Sequence, residues 1–240
     1  MKIRVISSLN NNEVDTLIEG IPYFKELKLS DYEQYQLLLG HSKMLLLEPG
    51  EVLLNKGDHG KEIYFLARGR LDVFSEVTPS EKALGQLTTG EIIAGLSIIN
   101  DQPRTATLVA STSYVTGNTI IIATDFKIFG KLHDFSNIKL QTKINFLRLV
   151  MNNIRFKLAN YQKQYPEHRL VNKSHNVERF CGEVDTVEEL VSLSGQAFVL
   201  THLLYSWNKE IESSFDVTIT EEKISAKDKI LGFLSKKRVS

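Results

Sequence analysis

The amino-acid sequence predicts an α+β protein: an antiparallel β-roll of the jelly-roll kind, with helices before and after it in the chain. Three observations lead there. Between residues 43 and 124, short runs rich in Val, Ile, Leu, Tyr and Phe recur at near-regular spacing, broken by turns containing Gly and Pro. From Leu140 to Tyr165 apolar residues recur at alternating steps of four and three, the mark of a long helix. After residue 184 helical spacing returns.

The bulk numbers bound the answer. A chain of 240 residues holds one large domain, or a main domain with a smaller one. Hydrophobic content of 42% and charged content of 24% are those of an ordinary water-facing globular chain. Acidic and basic residues balance at 29 each, so no global field draws the chain to nucleic acid or anionic lipid. The single cysteine, Cys181, excludes a disulfide framework and fits a reducing compartment. The N-terminus lacks the apolar core of a signal peptide, and no run of about 18 apolar residues occurs. A cytoplasmic location is the expectation.

In order along the chain, residues 1–10 read as a loosely held arm. Val14, Leu17 and Ile18 have helical spacing, and Gly20 with Pro22 ends that helix. Ser30 is placed to cap a second helix, with Asp31 and Glu33 in its first turn and Tyr32, Tyr35, Leu38 and Leu39 on its apolar face. Strands follow at Met44–Leu47, Val52–Leu54, Ile63–Leu66, Leu71–Phe74, Ala83–Leu87, Thr105–Ala110 and Tyr114–Thr124. The turns between them include Glu48-Pro49-Gly50-Glu51, Asn55-Lys56-Gly57-Asp58-His59-Gly60 and Arg68-Gly69-Arg70. Phe126, Phe129 and Leu132 mark a short helix. Leu140, Ile144, Leu147, Met151, Ile154, Leu158, Tyr161 and Tyr165 then form an a/d seam, and Pro166 ends it. So narrow a seam favours a coiled-coil homodimer over packing on the chain's own roll, which would ask for a broader stripe. Residues 166–184 read as a polar linker. Asp185 with Glu188 reads as a capping box, opening a helical stretch Thr186–Ile211 with a break near Gly195. A final helix runs from about Thr220 to Lys237.

One stretch carries chemistry. From Gly90, small and apolar residues including Ala94, Gly95, Leu96 and Ser97 run to Pro103-Arg104-Thr105-Ala106. Small residues let a ligand approach the backbone. A guanidinium in an apolar run is suited to grip one phosphate bidentately. Together with the ordered Pro-Gly-Glu, Lys-Gly-Asp and Tyr-Phe-Leu-x-x-Gly turns, this resembles the phosphate-binding cassette of cyclic nucleotide-binding domains of the catabolite activator type, over about residues 20–165. The resemblance implies that Arg104 meets a cyclic phosphate. It implies that backbone amides of Ala94, Gly95, Leu96 and Ser97 assist, with Ala106 behind. In members that prefer cyclic GMP, a hydroxyl at the position of Thr105 contacts the guanine. The long helix caps the base, and Asn152 and Asn153 are the residues offered for that from position. The family also dimerises through a helix at the place of Leu140–Tyr165.

The cassette departs from the family at one position. Counting back from Arg104, the Gly-Glu pair whose Glu holds the ribose 2′-hydroxyl falls on Ala94-Gly95, so that Glu is missing; Glu91 aligns with an earlier acidic residue. A hydrogen bond to a charged group contributes about 1.5–3 kcal/mol. Three outcomes stay open: cyclic AMP or cyclic GMP bound more weakly, a cyclic dinucleotide, or no ligand. Transcription factors of the family continue into a helix-turn-helix. Here Thr186–Leu190 and Gly195 imitate its first half, but the would-be reader from Gln196 to Trp207 has no Arg or Lys, which argues against DNA. The six histidines do not sit at metal-ligand spacing, and no nucleophile motif occurs, so neither metal nor catalysis is expected.

The expected organisation is therefore helices in 1–40, a β-roll in 41–135, a dimer helix in 136–165 and a helical effector region in 166–240. The expected role is a regulatory binding protein acting through protein contacts. A ligand-gated transcription factor and a ligand-free adaptor are the alternatives.

Overall fold

A computed structural model describes residues 1–6, 9–75, 83–93, 98–99, 101–114 and 117–236; beyond Ile211 the last helix is described as backbone. Among these residues nine strands form two antiparallel sheets. Strands β1 (Lys2–Val5), β2 (Ser42–Leu47), β4 (Glu62–Arg68), β7 (Ile92–Ile93) and β9 (Thr119–Asp125) make one, in the order β1-β2-β9-β4-β7. Strands β3 (Val52–Leu54), β5 (Arg70–Phe74), β6 (Gly85–Thr88) and β8 (Thr107–Ala110) make the other, in the order β3-β8-β5-β6. Helices α1 (Asn11–Glu19), α2 (Pro22–Ser30) and α3 (Tyr32–Gly40) precede the roll. A 3-10 helix at Phe126–Phe129, α4 (Leu140–Gln164), a 3-10 helix at Val171–Asn176 and α5 (Val187–Lys236) follow it.

Strands β2, β4 and β9 of the five-stranded sheet are buried on both faces, which is why they read as apolar runs. Successive side chains point to opposite faces. In β4, Tyr64 and Leu66 meet Leu71, Leu108 and Ala110 of the second sheet, while Ile63, Phe65 and Ala67 face the helices. In β9, Ile121 and Ala123 take the inter-sheet side and Ile122 the helical side. On that side aromatic rings join four elements. Phe65 of β4 lies 5.9 Å from Tyr23 and 5.1 Å from Phe24 of α2; Phe146 of α4 lies 6.1 Å from Tyr23 and 4.7 Å from Phe129. Gly69 turns β4 into β5 at φ +103°, and a Cβ there would lie 2.9 Å from the Thr119 Cα.

Several expectations are corrected. The first residues are not a loose arm: Lys2–Val5 pairs along β2, from Lys2 with Leu46 to Val5 with Lys43. All four are exposed, so the strand is held by its backbone and leaves no burial signature in the sequence. Pro22 begins a helix as its first residue, where its missing N–H costs nothing. Ser30 ends α2, and the cap of α3 is Asp31, whose side chain accepts from the Gln34 amide at 3.2 Å. The last two strands start later than expected, at Thr107 and Thr119. Within the linker, Val171–Asn176 forms a 3-10 turn and Leu170 is buried. The α5 cap is shifted by one residue: Thr186 Oγ1 accepts from the Glu189 amide at 3.2 Å, and Glu189 Oε2 accepts from the Asp185 amide at 2.6 Å. No break occurs at Gly195, and the stretch from Thr220 continues the same helix to Lys236. The Gly195 turn that a helix-turn-helix would need is thus helix; Lys237 lies outside the described residues.

The largest correction concerns the α4 seam. Ile144, Leu147, Met151, Ile154 and Leu158 are buried within this one chain, in a core shared with Leu190, Leu193, Ala197, Leu200 and Leu204 of α5. Leu140 and Tyr161 pack against the same core. The surface expected to meet a second chain is filled by α5. The two helices run parallel. Arg148 of α4 donates to Glu189 at 2.7 Å, and seven residues on, Arg155 donates to Gln196 at 3.0 Å. Entry into α4 is set by a buried amide of α3. Gln34 Nε2 donates to the Asn137 carbonyl at 3.0 Å, and its Oε1 accepts from the Lys139 amide at 2.9 Å.

At the far end of the pair Trp207, the chain's one tryptophan, is 0% exposed. It lies 5.7 Å from Tyr161 and 4.3 Å from His168. Trp207→Ala is expected to lower the unfolding free energy by about 3–5 kcal/mol, read by urea denaturation followed by circular dichroism.

Candidate functional site

Arg104 is held by its backbone before its side chain does anything. The Asn55–Asp58 turn closes on itself, with the Asp58 carboxylate accepting from the Asn55 amide at 3.3 Å and its side-chain amide at 3.2 Å. Gly57, at φ +88°, lets that turn reverse. Arg104 N–H then donates to the Asp58 carbonyl, and Gly57 N–H donates to the Arg104 carbonyl, both at 2.8 Å. The Lys-Gly-Asp turn read from the sequence is therefore a clamp on the arginine.

The side chain points inward, and the residue is 6% exposed. Nη2 donates to the Glu62 carbonyl at 3.2 Å, and the guanidinium lies over the Tyr64 ring at 5.6 Å. Gly60 makes the room: a Cβ there would come within 3.0 Å of Nη2. Burial pulls the Arg104 pKa down, and Tyr64, Glu62 and Asp58 oppose that pull. Burial also pushes the Tyr64 phenol up to about 12, so it stays neutral. Its hydroxyl donates to Glu62 Oε2 at 3.1 Å, and Lys43 pairs with Oε1 of the same carboxylate at 2.7 Å.

Thr105 is half-buried and carries the link to the helices. Asn208 of α5 donates from Nδ2 to Thr105 Oγ1 at 3.3 Å. Asn208 Oδ1 accepts from the Tyr161 hydroxyl of α4 at 2.7 Å. Burial raises the Tyr161 pKa, keeping that hydroxyl a donor. One turn earlier on α4, the surroundings of Lys157 push its pKa down, with Glu91 opposing. Glu91 itself closes its turn, accepting from the Thr88 amide at 2.8 Å and hydroxyl at 3.2 Å.

The structure thus brings Arg104, Thr105 and the half-buried Ala106 to one loop, between the clamp and the Tyr161–Asn208 contact of α4 with α5. Ala94, Gly95, Leu96 and Ser97 lie outside the described residues. On α4, Asn152 is exposed and Asn153 half-buried; the side chains hydrogen-bonded toward Thr105 are Asn208 and, through it, Tyr161. Arg148 is spent on joining the helices, donating to both Glu189 oxygens and to Asp185 at 3.0 Å. Sequence reasoning places Gly60 in a turn and Tyr64 in a strand without a role at the site, and misses Asn208. Gly60 and Tyr64 flank the clamp and carry a positional cue, while Asn208 sits between Trp207 and Lys209 with none.

Part of the chain is similar to known proteins. Residues 45–116 match the family model for the cyclic nucleotide-binding domain. A cAMP-dependent protein kinase regulatory subunit from Mucor circinelloides f. lusitanicus is 30% identical over 82 residues, 34% of this chain and 19% of that protein. The acetyltransferase Pat of Mycolicibacterium smegmatis is 34% identical over 67 residues, 28% of this chain and 20% of that one. The chain therefore spans about a fifth of these relatives. A crystal structure of a cyclic nucleotide-binding domain from Methylobacillus flagellatus is similar at a TM-score of 0.46 and 19% identity, covering 72% of this chain and 87% of that one. No helix among the described residues is long and apolar enough to cross a membrane.

Asn208 is the joint between loop and helices. Asn208→Ala is expected to cost about 1–2 kcal/mol. Adding Tyr161→Phe is expected to cost less than the two single changes summed, since both break one bond. A double-mutant cycle in urea reads the coupling.

Proposed function

We propose, from the match of residues 45–116 to the cyclic nucleotide-binding domain family, that the chain is a non-catalytic regulatory module answering to a cyclic nucleotide. The observation that carries the proposal is the buried guanidinium of Arg104, fixed at its backbone by the 55–60 turn and walled by Tyr64 and Gly60. A fixed cation in a water-poor loop is worth most to an anion, because the low local dielectric strengthens the pairing. Binding of the cyclic phosphate exchanges the neutral Glu62 carbonyl for a charged acceptor.

The same loop offers a route outward. Thr105 is the next residue, and Asn208 ties it to both α4 and α5. A ligand seated on Arg104 and Thr105 acts on that joint. The packing of α4 against α5 shifts, and with it the surface that the C-terminal region presents to a protein partner. Cyclic AMP and cyclic GMP are the ligands proposed, with a cyclic dinucleotide as the further case. Gly95, standing where the family has its ribose-binding Glu, supports the second reading, a ligand-free adaptor.

Calorimetry on the full chain with cyclic AMP, cyclic GMP and cyclic di-GMP decides between them. Heat with a mononucleotide, weakened at least about thirtyfold by Arg104→Ala, is expected. Silence with all three leaves the adaptor. Gly60→Ala is expected to leave stability nearly unchanged, because its new methyl meets the far end of a flexible side chain, yet to weaken binding by displacing Nη2. Gly95→Glu is expected to tighten binding about ten- to a hundredfold. Sequence-selective shifts of DNA fragments in gels, dependent on nucleotide, would overturn the proposal in favour of a transcription factor.

A further inference from the structure

α5 has a second stripe that its packing on α4 leaves outward. From Glu188 to Lys209 it runs through Val191, Gly195, Phe198, His202 and Tyr205, in alternating steps of three and four. Val191 is 46% and Phe198 51% exposed, and Val199 beside the stripe is 50% exposed. The Phe198 ring meets the His202 ring edge-on at 4.6 Å. A Cβ on Gly195 would meet nothing within 4 Å. The stripe carries its two fixed charges at its ends, and they are opposite in sign.

We propose that this stripe docks a second copy of the chain, with the two α5 helices antiparallel about a two-fold axis at Phe198. The sequence is self-complementary in that register. Phe198 meets Phe198 of the second copy. Gly195 lies opposite His202, so the smallest residue faces a ring. Val191 lies opposite Tyr205, and Glu188 opposite Lys209. A parallel pairing would set Glu188 on Glu188, Lys209 on Lys209 and Gly195 on Gly195, which gives two like-charge contacts and a gap. The antiparallel contact is isologous, as two-fold dimers are, and puts an aromatic anchor at its centre. It spans 22 residues, about 33 Å of helix. It replaces the α4 seam as the dimer surface and does not depend on nucleotide binding.

Analytical ultracentrifugation of the full chain tests it. The expected result is a species of twice 27.2 kDa at micromolar concentration. Phe198→Asp is expected to sediment as the monomer with its helical circular dichroism intact. Glu188→Lys is expected to raise the dissociation constant about five- to tenfold, and adding Lys209→Glu is expected to restore it. With Cys181→Ser as background, Gly195→Cys and His202→Cys are expected to cross-link when mixed and not alone. A monomeric parent chain overturns the proposal. So does a dimer indifferent to Phe198→Asp, a charge swap without rescue, or Gly195→Cys cross-linking to itself.

Discussion

The burial of the α4 seam by α5 is the contact on which the rest of the molecule depends. Ile144, Leu147, Met151, Ile154 and Leu158 lose their water to Leu190, Leu193, Leu200 and Leu204 of the same chain. At about 1.5–3 kcal/mol for each large apolar side chain, five such residues contribute on the order of 10 kcal/mol. That is the size of a whole domain's net stability. α5 is therefore part of the fold, and its first half completes the core that α2, β4 and α4 begin around Phe65 and Phe146. The stretch 45–116 that matches the cyclic nucleotide-binding family and the helices beyond it share that core.

This arrangement explains why the arginine loop and the helices are mechanically joined. Arg104 is anchored by main-chain bonds to a turn, so the loop has little freedom to absorb a change at the guanidinium. Thr105 follows immediately and is tied to Asn208. Asn208 sits beside Trp207, which is wedged against Tyr161 and His168. A displacement at the loop meets close-packed aromatic rings, which transmit strain where a looser core would dissipate it. The hydrogen bonds to Asn208 select which atoms move together.

How much of this could be read in the chain depended on whether a feature left a mark on side-chain pattern. The β-roll was legible because Pro49-Gly50, Lys56-Gly57 and Gly69 punctuate apolar runs, and those runs are apolar because the central sheet is covered on both faces. The strand Lys2–Val5 was not, since its exposed side chains show no burial and its pairing is all backbone. Pro22 reads as a stop in the sequence, although the same fixed φ that ends one helix starts the next. The α4 seam announced that a helix would be covered without saying by whose residues: an a/d pattern records the contact and is silent on chain identity. Arg104 was legible from its motif, and Gly60, Tyr64 and Asn208 were not, because their roles come from folding distant positions onto the loop.

The shared separation of 41 residues in the pairs Arg148 with Glu189 and Arg155 with Gln196 has one more consequence. Apolar rows of heptad spacing are nearly indifferent to sliding by seven residues, since leucine then faces leucine again. The polar contacts are not. A slide of one heptad toward the start of α4 would set Glu189, buried to 5% exposure, against Gln141 in place of Arg148, and a slide in either direction would draw Asn208 off Thr105. Leaving such a carboxylate unpaired costs about 3–5 kcal/mol. The arginine and asparagine contacts thus act as a vernier on an otherwise slippery interface, reading off which of several near-equal alignments is the native one.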